Sequence, residues 1–218
     1  MKSFFRFISY VFIPLAMPLF ALLIVFYTPT YIDFKTQINS LYFIEPSFKK
    51  FFFNAFALFC WLFPVVTLVV MKLSKQISSI ELHHQKERFL PMVMTGAFLV
   101  MLLIMLYKFN EQLTLSKHLF ALVYAGIIAS IVYATINFFQ KISLHAAGAG
   151  LFLGFLFAYY QEQSIAVMWP IYVACLLSGT IVAARMYLQK HSNKELLLGF
   201  SIGFVIAFVT DFLLILYF

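Results

Sequence analysis

Residues 119–139 read LFALVYAGIIASIVYATINFF, a stretch without a single Asp, Glu, Lys or Arg. At about 1.5 Å per residue, a helix of this length crosses a hydrocarbon layer of ~30 Å. Its polar side chains, Ser130, Thr135 and Asn137, are too few for one face to meet water. The stretch therefore reads as a bilayer-spanning helix. Six further apolar blocks flank it, at Ile8–Tyr27, Phe51–Met71, Pro91–Tyr107, Ala146–Tyr160, Ile165–Leu188 and Leu196–Phe218. Ala146–Tyr160 is short and needs flanking residues to complete a span.

Across the 218 residues, 64% are hydrophobic and 11% charged, against roughly 45–50% and 25% in globular proteins. So few charges cannot cover a water-facing surface, and the mean hydropathy of +0.97 agrees. These numbers predict an all-α integral membrane helical bundle of about six to seven transmembrane helices, with residues 1–218 forming one membrane domain. They exclude a soluble enzyme. The net charge of +7 has no soluble basic domain in which to hold a duplex, so no nucleic-acid partner is expected. Cys60 and Cys175, both inside apolar blocks, supply neither a disulfide framework nor a zinc site.

The first block follows Lys2 and Arg6 and so invites comparison with a signal peptide. Its length, Pro14 and Pro18, and the lack of a small-residue cleavage site instead predict a retained helix. Alternating the spans puts the N-terminus, Lys72–Leu90, Gln140–His145 and Gln189–Glu195 on one side. That side carries most of the Lys and Arg, which predicts a multi-pass protein of the cell membrane with a cytoplasmic N-terminus. The longest connection, Thr28–Lys50, carries Tyr31, Tyr42 and Phe43 and is expected along the interface. Gly150 with Gly154, and Gly199 with Gly203, are small-xxx-small pairs that predict close helix packing.

Polar residues at membrane ends are expensive, so their pattern is informative. His191 and Glu195 stand at i and i+4, on one face of the start of the last helix. A carboxylate there accepts one imidazole N–H and leaves the other nitrogen's lone pair free as a nucleophile or base. Arg185, at the end of the preceding helix, offers a planar fork suited to phosphate. Ser143 can cap the fifth helix, whose first N–H groups then face any bound anion, and His145 sits in that first turn. Lys86-Glu87-Arg88 lies at the entrance to the third helix. The intervals between these elements are two-helix hairpins, so all three return to one face and build a phosphate-sized cationic site.

In these residues the chain resembles the type 2 phosphatidic acid phosphatase superfamily, membrane relatives of the vanadium haloperoxidases. That family carries Lys-x6-Arg-Pro, Pro-Ser-Gly-His and Ser-Arg-x5-His-x3-Asp. The third is matched by Ala184-Arg185-x5-His191-x3-Glu195, with Gly199 where members often have glycine. The second is similar to Ile142-Ser143-Leu144-His145. In the first, Arg88 matches, Pro91 comes two residues late and Glu81 takes the lysine position. The resemblance covers roughly residues 72–205, a phosphatase-like core.

The resemblance implies a membrane-embedded phosphatase for a lipid phosphate or prenyl diphosphate. In it, His191 would attack phosphorus, Glu195 would orient its ring, and His145 would protonate the leaving oxygen. Arg88, Ser143 and Arg185 would hold the phosphate oxygens, with Lys141 or Lys86 replacing the motif lysine. No metal and no cofactor are implied; the partners are the lipid substrate and membrane lipids. Two other readings stay open: a non-catalytic member of the fold that binds anionic lipid head groups, and a small transporter using Asp211 and Asn137. Asp211 inside the last helix must pair, protonate or face a cavity, and Asn137 is expected to bond between helices. His83, His84 and His118 read as interfacial.

Overall fold

The computed structural model describes residues 2–30, 40–82, 84–163 and 167–217. Among them the secondary structure is helical, with no strand. Five helical spans are long and apolar enough to cross a membrane, and a bent pair makes a sixth. The protein is an all-α membrane bundle.

The first block is that bent pair. Helix α1 (Lys2–Val11) and α2 (Met17–Tyr27) meet at 50° around a 3-10 turn, Pro14–Ala16. Pro14 has no N–H to give, so the α1 ladder ends before it and a new helix starts with proline in its first turn. The second span, Pro46–Leu73, joins α3 (Pro46–Phe56) and α4 (Phe63–Leu73) through a π-helical stretch, Ala57–Leu62. Pro64 follows directly, and a widened turn is one way a helix accommodates a proline ring.

After the 3-10 turn Gln85–Arg88 come α5 (Phe89–Asn110), α6 (Lys117–Phe139), α7 (Leu144–Glu162), α8 (Trp169–Tyr187) and α9 (Asn193–Tyr217). The short fifth block does extend into its flanks, as α7. It falls outside the spans by apolarity, because it is the buried centre of the bundle and carries glycine, alanine and terminal polar residues rather than a lipid-facing surface. Of the seven blocks, this one accounts for the lower count.

Helices α7 and α9 form the tightest pair. A Cβ on Gly150 would run into the Phe200 carbonyl and lie 2.9 Å from Phe204 N, and one on Gly154 or Gly203 would meet the facing backbone too. Each small-xxx-small pair thus lies against the backbone of the other helix, Gly150 and Gly154 on Phe200 and Phe204, Gly199 and Gly203 on Ser143 and Ala147. Asn137 bonds between elements as expected: its Nδ2 donates to Gln85 O at 2.9 Å, and Gln85 Nε2 donates back to Asn137 O. His118 corrects its interfacial reading, being fully buried and paired with Asp211. His84 is exposed, while Tyr31, His83 and the start of the Ile165 block lie outside the described residues.

Candidate active site

The three motif stretches are hydrogen-bonded to one another. Arg88 Nη1 donates to Ile142 O at 2.9 Å, and its Nε donates to Leu82 O at 2.9 Å. Ser143 N donates to Glu195 O at 3.4 Å. Gly199 makes that approach possible, since a Cβ there would stand 2.7 Å from Ser143 O. The loop before α7 is therefore held on one side by the entrance to α5 and on the other by the start of α9.

Ser143 caps α7 as its sequence position predicts, its Oγ accepting from Ala146 N at 3.4 Å, and it is fully buried. The N-termini of α5, α7 and α9 all lie at this end of the bundle, each contributing partial positive charge. An anion here is favoured before any side chain is counted.

His191 does not share the first turn of the last helix: it lies in the bend before α9, and from there its Nδ1 reaches Glu195 Oε2, in that first turn, at 2.6 Å. The carboxylate accepts the Nδ1 proton, which leaves the Nε2 lone pair available. Burial holds the His191 ring well below its ordinary value, at about 4. Arg185 and Arg88 push the same way, against the Glu195 hydrogen bond. The ring is thus neutral at neutral pH and loses its lone pair only as pH falls through about 4. In the folded protein, ring NMR of His191 should titrate near 4; a midpoint at the ordinary 6.5 would mean that the ring is not held among the arginines.

Arg185 supplies a buried Nε that donates to nothing among the described residues. An unsatisfied buried donor is costly, and an anion arriving between Arg185 and His191 relieves that cost. Arg88 spends two of its N–H groups on backbone carbonyls, out of the five a guanidinium carries. It braces the loop and keeps the remainder for a ligand.

His145 lies within the electrostatic reach of Arg185, His191 and Glu81. Its Nε2 is 3.1 Å from Ser9 O, so α1 covers the site; Phe5 of α1 also packs on Tyr187 of α8, with ring centroids 4.6 Å apart. The sequence carried no signal for the Ser9 contact. Lys86 is exposed and Lys141 half-buried, and neither forms a hydrogen bond or ion pair among the described residues. The cation at the lysine-motif position is instead Lys190, 3.1 Å from Glu81. Glu81 acts in turn on Arg185 and His145. Its signal in the sequence was a carboxylate standing where the motif has lysine, with Lys190 next to His191.

The fold is an all-α membrane bundle, and its pocket surrounds a neutral, carboxylate-anchored histidine with groups suited to an anion. Residues 137–213 match the family model described as the PAP2 superfamily, consistent with a member of that superfamily. The match runs from Asn137 into α9 and takes in Ser143, His145, Arg185, His191 and Glu195, while Arg88 and Glu81 precede it. PAP2 superfamily members are generally phosphatases, so the match supports phosphatase-type activity in a multi-pass membrane protein. No curated protein and no solved structure matches the chain.

Proposed function

We propose that this protein hydrolyses a phosphate monoester or diphosphate on a lipid through a phosphohistidine at His191. The observation that carries the reading is the 2.6 Å His191–Glu195 contact beside the unpartnered Arg185 Nε. In the proposed reaction His191 Nε2 forms a bond to phosphorus as the bond to the lipid oxygen breaks. His145 gives a proton to that oxygen, which requires its ring to leave Ser9 O or to act through Nδ1. Water then gives a proton back to His145 as its oxygen attacks phosphorus, the P–N bond breaks to restore His191, and phosphate leaves. Arg185, Arg88 and the Ser143 hydroxyl hold the non-bridging oxygens while charge develops. The lipid tail stays among the helices, and the N-terminus and this pocket face the cytoplasm.

The site is closed as it stands, with only 5% of the His191 side chain exposed. The Glu81–Lys190 pair at its rim is exposed on both sides, so parting it costs at most about 1 kcal/mol. Glu81→Gln removes a carboxylate that competes with phosphate for Arg185. Steady-state kinetics should show KM for a phosphorylated lipid falling several-fold with kcat little changed; an unchanged or raised KM would contradict that role.

A phosphate-binding protein without turnover is the second reading. It is favoured by Glu81 at the lysine position and by the engaged His145 Nε2. The transport reading rested on Asp211 and Asn137, and both are bonded between structural elements. The deciding experiment incubates the full chain with lipid carrying radiolabelled phosphate and quenches within the turnover time. Acid-labile label on His191 supports hydrolysis. Bound lipid phosphate with no protein label and no released phosphate selects the second reading.

A further inference from the structure

At the end of the bundle away from His191, titratable side chains from three helices meet. His118 of α6 and Asp211 of α9 are both fully buried. His118 Nδ1 lies 2.9 and 3.1 Å from the two Asp211 oxygens. On the other side of the ring, Nε2 faces Glu162 Oε2, at the end of α7, at 3.7 Å. That separation is within ion-pair range and beyond a hydrogen bond, and Nε2 has no hydrogen-bond partner among the described residues. Tyr159 packs edge-on against the ring at 4.7 Å between centroids, with its hydroxyl accepting from Leu41 N at 3.0 Å. Lys117 is the nearby cation; its Nζ is 3.5 Å from Ile215 O, and it acts on Glu162.

Counting protons shows what this arrangement lacks. An ionised carboxylate only accepts, and a neutral imidazole donates from one nitrogen. Two carboxylates flanking one ring therefore need two protons for two hydrogen bonds. The Asp211 contact has the length of a made bond. The Glu162 contact has the length of two lone pairs facing each other, and one added proton satisfies both. Glu162 is the member with a route to water, its side chain being 23% exposed.

We infer that Asp211, His118 and Glu162 form a proton-binding site at the end of the bundle opposite the His191 pocket. One proton enters from water by way of Glu162 and is held on His118 Nε2. The ring then bridges both carboxylates and clamps the ends of α6, α7 and α9 together. The site is a dead end. Between His145 and Glu162 on α7, and between Glu195 and Asp211 on α9, the sequence has no charged residue. A bound proton returns to the face it came from. This inference does not rest on the phosphohydrolase reading.

The test is ring 15N NMR of the full chain in lipid nanodiscs, followed against pH. His118 Nδ1 is expected to stay protonated throughout while Nε2 changes from lone pair to N–H as pH falls. Glu162→Gln, at the partly exposed edge where folding is least at risk, should lower the midpoint by about one pH unit or more by removing a flanking negative charge. Lys117→Ala should raise it. Amide exchange over residues 158–162 should slow with Nε2 protonation in the wild type and not in Glu162→Gln. An Nε2 that never changes state, or a midpoint indifferent to Glu162→Gln, overturns the site. Unchanged amide exchange overturns the clamp, and proton flux across sealed vesicles overturns the dead end.

Discussion

His191→Ala should reduce phosphate release from a lipid phosphate about a thousandfold or more, the scale of loss when a covalent nucleophile is removed. The ring combines a free lone pair with a neutral state at neutral pH, and Glu195 aims it. Ser143 is occupied as a helix cap, His145 Nε2 is engaged by Ser9 O, and Cys60 and Cys175 belong to other helices. Glu195→Gln should cost less, because the ring remains and only its tautomer and aim are lost. Lipid binding should survive both changes, since the arginines are untouched. Single-turnover phosphate release separates the two effects, and a His191→Ala protein with full turnover would remove the proposed mechanism.

Gly150→Val should lower stability by about 1–3 kcal/mol or more, as overpacking of a closed interface does. The added Cβ meets the Phe200 carbonyl, a backbone atom that cannot swing aside. Relief requires α9 to move away from α7, and that movement also parts Ser143 from Glu195 and draws His191 off His145. Thermal stability and turnover should therefore fall together. Gly179→Ala is the control: a Cβ there meets nothing within 4 Å, and the better helix former should leave stability equal or slightly raised. Equal unfolding midpoints for Gly150→Val and the wild type would show that the α7–α9 seam yields.

What the sequence disclosed follows from which forces are local. Apolar block length sets spans directly, so each of the seven blocks lies in a helical region where described. The His191–Glu195 spacing is short enough to bring the two together, although His191 sits in the bend before α9, and Ser143 caps the turn that follows it. Pro14 announces a break but not its 50° direction, which depends on α1 packing against α8. That packing brings Ser9 O to His145, a contact between residues 136 apart. His118 was misplaced for the same reason. A histidine beside a lysine at a helix start looks interfacial until Asp211, 93 residues later, arrives next to it.

The uncharged middle of α7 and α9 separates the polar ends of the molecule by about 24 Å at 1.5 Å per residue. In an energised membrane the voltage drops across this low-dielectric stretch, and work is done only on charge that travels through it. The proposed phosphoryl transfer at His191 would begin and finish on one side of that barrier. Hydrolysis should therefore run at the same rate in vesicles whether or not they hold an electrical potential.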